Sequence, residues 1–143
     1  MGILTDLFVA ESRDAPNYEA LHSSNKLAAA QFERVEFKGL TDLNFTILWA
    51  LLESQEWDVN THALESVAMA MDGETWLFRF PAPLVAKLAA LDKSGIARAA
   101  ALWAQTEELM CEPAEIEPVV VELVRLAQIS SSSPRGLFLW GSL

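Results

Sequence analysis

The stretch Glu65-Ser-Val-Ala-Met-Ala-Met-Asp72-Gly73-Glu-Thr-Trp-Leu-Phe-Arg-Phe80 sets an Asp-Gly dipeptide between two runs rich in strand-forming residues. A type I′ turn needs positive φ at both central residues, which Asp and Gly tolerate, so the pattern predicts a β-hairpin over 65–80. On the second arm Trp76, Phe78 and Phe80 share one face, opposite Thr75, Leu77 and Arg79. Two further strands are expected. At 33–38, Val35 and Phe37 alternate with Arg34, Glu36 and Lys38 and stop at Gly39. At 136–141 an aromatic run follows Ser130 to Ser133 and Pro134, which have the composition of a loop.

The remainder has helical spacing. Pro16 suits a first helical position, and Tyr18, Leu21, Ala28, Ala29 and Phe32 recur behind it. Thr41 and Asp42 cap a helix to about Glu53 that is apolar on every side, which predicts burial. Pro81 and Pro83 open a short helix, Ser94 caps the next, and Pro113 starts a last one carrying Ile116, Val119, Val120, Leu123 and Ala127. Strands and helices do not alternate regularly. The expected fold class is therefore α+β: a small, mainly antiparallel sheet with about five helices over one face, in a single domain spanning 1–143.

Charge is the second informative feature. Between Lys38 and Arg79 there is no basic residue but seven acids: Asp42, Glu53, Glu56, Asp58, Glu65, Asp72 and Glu74. Between Arg98 and Arg125 there is again none, against Glu107, Glu108, Glu112, Glu115, Glu117 and Glu122. These windows account for the formal net charge of −10. Such segregation steers a basic partner and repels polyanions, so nucleic acid is not expected as a ligand. The longest strongly apolar stretch, Leu43 to Leu52, is half of what a membrane span needs. Met1 to Ala10 lacks a basic region and does not read as a secretory signal. With Cys111 as the single cysteine, a reducing, cytoplasmic setting is the expectation.

No constellation in the chain assembles recognisable chemistry. His62 and Glu65 would share a helix face, but no further metal ligand lies nearby. A calcium loop starting at Asp58 fails at Ala63 and Met69, where Gly and Glu are needed. Ser23-x-x-Lys26 lacks the companion motifs of penicillin-recognising enzymes. Phosphate and dinucleotide loops are absent from the sequence. Cys111 stands among acids that disfavour its thiolate. No cofactor, metal site or catalytic residue is expected. Of five tryptophans, Trp49, Trp76 and Trp103 fall on core faces, while Trp57 and Trp140 are less constrained. Trp57 beside Asp58 has the character of an interface anchor rimmed by acids. Candidate partner-binding residues are Trp57, Asp58, Glu107, Glu108, Glu112, Glu115 and Glu117.

From Phe80 the chain reads Phe-Pro-x-Pro-Leu-Val-x-x-Leu-Ala-x-Leu, followed by Trp103-Ala and Thr106-Glu-Glu-Leu109. With the opening Met-Gly-Ile-Leu-Thr-Asp-Leu-Phe and the strand Glu33 to Gly39, this resembles small uncharacterised bacterial proteins distantly similar to the YfbM-like family of unknown function. The resemblance implies a bacterial or phage-related source and an α+β fold, and it carries over no catalytic residue. The functional expectation is a non-enzymatic acidic binding protein, an immunity protein or inhibitor that covers a basic toxin. The alternative is a small-molecule-binding protein or hydrolase with a pocket between sheet and helices and an Asp or Glu as base. A homodimer face is a third expectation, given the high apolar content.

Overall fold

A computed structural model describes residues 3–24, 32–70 and 72–143. Its order is β1 (Leu4–Ala10), a 3-10 turn (Ala15–Asn17), α1 (Tyr18–Ser23), β2 (Glu33–Lys38), α2 (Asp42–Leu52), β3 (Glu65–Met69), β4 (Thr75–Arg79), α3 (Ala82–Ala89), α4 (Lys93–Ala104), α5 (Pro113–Ser131) and β5 (Gly136–Ser142). The strands form one sheet in the order β2-β1-β5-β4-β3, and every neighbouring pair is antiparallel. The fold is α+β, as the sequence predicts, with five α-helices among the described residues.

The sequence reading omits β1, yet it sits next to the sheet centre between β2 and β5. All its residues after Leu4 are buried, so the polar-apolar alternation that betrays a half-exposed strand is missing. Its alternate side chains feed two cores. Leu7 and Val9 join Leu137, Leu139, Phe80 and the apolar sides of α2 to α5 in the larger one. Phe8 and Ala10 join Phe138, Trp140, Leu77 and Tyr18 in a smaller core on the opposite face. The sheet is thus covered on both faces, not on one, because Tyr18 of α1 packs across the second; its ring stacks on Phe8 with centroids 4.0 Å apart. The expected helical residues Ala28 and Ala29, and Lys26 of the Ser-x-x-Lys pattern, lie outside the described residues.

Local chemistry accounts for the helix ends. In α2, Asn44 Oδ1 accepts the Thr41 backbone N–H at 2.9 Å. The cap of α4 is Asp92, not Ser94: its Oδ1 accepts from Gly95 N at 2.7 Å, and this hydrogen bond holds its carboxyl below the usual range. In α5, Glu115 reaches back to the Glu112 N–H at 3.2 Å. That helix continues through Ser130 and Ser131 instead of yielding to a serine loop. The Ser130 hydroxyl donates to the Arg135 carbonyl at 2.9 Å and Ser133 to Ile129 at 2.9 Å, so the serines close the turn into β5.

The hairpin is present but its turn is not type I′. Among the described residues of the turn only Gly73 has positive φ (72°), and its N–H donates to the Ala70 carbonyl at 2.9 Å while Ala70 N donates to Thr75 O at 3.0 Å. This is a longer loop with a left-handed glycine at its exit, a common hairpin solution. No helix among the described residues is long and apolar enough to cross a membrane.

Candidate interaction surface and a buried carboxylate

Three hydrogen bonds assemble one end of the molecule. Thr5 donates its hydroxyl to the Leu40 carbonyl at 2.6 Å, tying the approach to α2 against β1. Trp103, buried in the last turn of α4, donates its indole N–H to the Asn44 carbonyl at 3.0 Å, so the end of α4 lies beside the start of α2. Cys111 N donates to Ala104 O at 3.0 Å and folds the 105–112 loop back on α4. The first turns of α5 then pass over Val35 and Phe37 of β2.

These links bring Asp42, Glu107, Glu108, Glu112, Glu115 and Glu117 to the same end, with the five glutamates all exposed. Asp42, Glu112 and Glu115 stand at helix starts, where the backbone dipole stabilises negative charge. Glu107, Glu108 and Glu117 have no such local role, and among the described residues none of the six forms a salt bridge. Trp57 joins this end by donating its indole N–H to Thr46 Oγ1 at 3.1 Å on the second turn of α2, while the residue stays 43% exposed. Asp58 follows, exposed, with Oδ1 accepting from Asn60 N at 2.8 Å. Leu43 on α2 and Met110 in the 105–112 loop are exposed apolar residues, Met110 at 78% and with a positive φ of 42°. Of the remaining acids of the first window, Glu53 is held by His62, Glu56 directly precedes Trp57, and Glu65, Asp72 and Glu74 lie on the hairpin. Acidity that is segregated along the chain is therefore gathered in space for Glu107, Glu108, Glu112, Glu115 and Glu117 of its second window, joined by Asp42 and Asp58 of the first, while Glu122 pairs with Arg125.

His62 does not sit on a helix with Glu65, which begins β3. It is buried, and its Nδ1 accepts the Asp58 backbone N–H at 3.0 Å. That bond fixes the proton on Nε2, which donates to Glu53 Oε1 at 2.8 Å. Both ring nitrogens are committed to holding the 53–64 loop, and no cluster of three metal-ligating side chains occurs among the described residues. Burial raises the Cys111 thiol pKa, with Glu115 and Glu112 adding to it, so the group is not an activated nucleophile.

The second face of the sheet holds a constellation that sequence reading misses. Asp6 is only 2% exposed; Tyr18 donates its hydroxyl to Asp6 Oδ2 at 2.6 Å, while Arg34 Nη1 and His22 Nε2 stand 3.9 and 4.0 Å from the same oxygen. Arg34 also bridges Glu36. Burial raises the Asp6 pKa, opposed by the Tyr18 hydrogen bond and by His22 and Arg34. His22 packs on Trp140, ring centroids 4.4 Å apart. Beyond Trp140 lies a cavity of about 140 Å³ lined by Pro16, Glu19, Ala68, Thr75 and Leu77. The one signal in the sequence is an acid directly ahead of an apolar run, Leu7 to Ala10.

No family model, no curated protein and no solved structure matches this chain.

Proposed function

We propose that this chain is a non-enzymatic binding protein whose acidic end covers a basic protein, in the manner of an immunity protein or inhibitor directed against a basic toxin. The observation that carries the reading is the placement of Glu107, Glu108, Glu112, Glu115 and Glu117 with exposed Trp57, Leu43 and Met110 on elements that meet at one end. Apolar anchors supply affinity when a rim of matching charge excludes water around them. The free carboxylates act mainly on encounter: they accelerate association with a positive surface and reject acidic competitors. Packing beneath, from Trp103 and the capped starts of α2 and α5, holds the backbone of this surface, so the ordering cost on binding falls on the exposed side chains.

The experiment is titration calorimetry with basic ribonucleases and deoxyribonucleases as probes, at low and physiological salt. Reversing Glu107, Glu108, Glu112 and Glu115 to Lys abolishes a salt-sensitive association of the native chain. Association that is equally strong and equally salt-dependent in both proteins overturns the reading.

The second reading, a small-molecule binder or hydrolase, draws on Asp6 with Tyr18 and His22. Two magnitudes place it behind the first. The adjacent cavity of about 140 Å³ is well under the roughly 300 Å³ at which ligand pockets begin. His22 at 4.0 Å is beyond hydrogen-bond length from Asp6 and is not poised to exchange a proton with it.

A further inference from the structure

The two edges of the sheet differ. The β3 edge carries a register irregularity between Ser66 and Ala68, a device that spoils pairing with another strand. The β2 edge carries none: six consecutive residues pair in regular register with β1, and no described strand lies on its outer side. Gly39 N donates to Ile3 O at 2.8 Å one step beyond the Leu4–Lys38 pair. Hydrogen bonding alternates along an antiparallel ladder, so Glu33, Val35 and Phe37 spend their backbone groups on β1 while Arg34, Glu36 and Lys38 turn theirs outward.

We propose that this edge is the seam of a homodimer in which β2 pairs antiparallel with β2 of a second copy, with Val35 on the two-fold axis. The register follows from charge and overlap: an axis at Phe37 would also oppose Glu36 to Lys38, but it pairs only residues 36–38 of β2, against 33–37 for an axis at Val35. A continuous sheet keeps each face on its own side, so the axis must pass through a residue and not between two. An axis at Glu36 opposes Glu36 to Glu36 and Arg34 to Lys38, which is repulsive throughout. An axis at Val35 opposes Arg34 to Glu36 of the second copy, twice, and brings Val35 against Val35. The residues so opposed are those with outward backbone groups, so each oppositely charged pair is also joined by two backbone hydrogen bonds.

The helix above the edge fits the same axis. α5 runs antiparallel to β2: Arg125 Nη1 lies 3.2 Å from Glu33 Oε2 at one end, and a groove of about 680 Å³ lined by Val35, Phe37, Glu117, Pro118 and Val121 lies toward the other. Since Glu33 of one copy meets Phe37 of the other, Arg125 faces Glu117 across the seam in both directions. Val121, 45% exposed, meets its counterpart near the axis above Val35. The surface is self-complementary in backbone, apolar and charged groups, as an isologous interface requires. Glu117 then belongs to the seam, and Trp57, Asp58, Glu107, Glu108, Glu112 and Glu115 stay free for the basic partner.

Light scattering at about 100 µM, where even a dimer of modest affinity assembles, gives twice the 15.8 kDa mass of one chain. Glu36→Pro removes an outward N–H without touching the β1 ladder and yields a monomer with an unchanged circular dichroism spectrum. In a Cys111→Ser background, copper phenanthroline and oxygen link Val35→Cys into covalent dimers. Its Cα atoms would stand about 4.5 Å apart in a non-hydrogen-bonded pair, within disulfide reach. Phe37→Cys, opposed to Glu33, links at least tenfold more slowly. A monomeric native chain, including one whose β2 edge instead takes a strand from another protein, overturns the proposal. So does a Glu36→Pro variant that stays dimeric, or faster linking at 37 than at 35.

Discussion

Tyr18 and Asp6 are joined by a 2.6 Å hydrogen bond on the buried side of the sheet, and the phenol is the donor. The bond ties α1 to β1. It also supplies the one short polar contact that the buried carboxylate makes to a side chain among the described residues. Burial and this bond together push the tyrosine pKa up, which keeps the hydroxyl protonated and donating.

Tyr18→Phe therefore leaves a buried charge short of its donor and destabilises the fold at pH 7 by about 1–3 kcal/mol in chemical denaturation. The sign of its pH dependence is fixed. The hydrogen bond favours the ionised form, so removing it raises an Asp6 pKa that burial has already raised above 3.8. The native protein gains from Asp6 below the unfolded pKa and loses that gain as pH rises through the folded one. The variant loses more over the same range. Its deficit is full at neutral pH and shrinks as acid protonates Asp6; a deficit that is constant from pH 7 to pH 4 contradicts this.

His62 is a clasp for the 53–64 loop, with one nitrogen accepting from Asp58 and the other donating to Glu53. His62→Ala removes both bonds and the edge-on contact with Trp49, whose ring centroid is 5.3 Å away. The expected loss is about 2–4 kcal/mol, combining an unsatisfied N–H with a cavity. Limited proteolysis should cut within this loop before any helix is attacked.

Much of this architecture was legible because it announces itself locally. The hairpin showed through Asp72-Gly73, β2 through its alternation, and α2 and α5 through capping residues and apolar stripes. What stayed hidden was non-local. Thr5 to Ala10 is buried on both sides, and an apolar run behind Thr5 and Asp6 does not show that it pairs with the last strand. Asp6 gains its meaning from Tyr18, His22 and Arg34, which only strand register and helix docking bring to it. Trp140 has the opposite history: it looked weakly constrained near the C-terminus, yet β5 lies in the middle of the sheet and buries it. Charge windows read along the sequence do not map whole onto one surface: Asp42 and Asp58 reach the acidic end, while Glu65, Asp72 and Glu74 lie on the hairpin.

Gly141 lies under the Trp76 indole, so a Cβ there runs into the ring. The two residues are cross-strand partners in the β4–β5 ladder, which fixes the backbone and leaves only the ring to move. Gly141→Ala is expected to cost about 1–3 kcal/mol as overpacking. In a Trp76→Ala background the same substitution costs less than about 0.5 kcal/mol, giving a coupling that thermal or urea denaturation of the double-mutant cycle measures. Equal costs in both backgrounds would mean that the ring is not what excludes the methyl.

Trp57 separates binding from stability more cleanly than the acids do. Its indole makes one hydrogen bond, to Thr46, and the residue is 43% exposed, so Trp57→Ala should change unfolding free energy by no more than about 1 kcal/mol. If the acidic end covers a basic protein, the same truncation removes an aromatic anchor, which costs about 2 kcal/mol or more and weakens affinity at least tenfold. The loss should appear in the dissociation rate, because an uncharged ring does not steer encounter, whereas reversing Glu107 and Glu108 should slow association and flatten its salt dependence. Surface plasmon resonance resolves the two rates. A Trp57→Ala variant that slows association while leaving dissociation untouched would place the anchor elsewhere on this face.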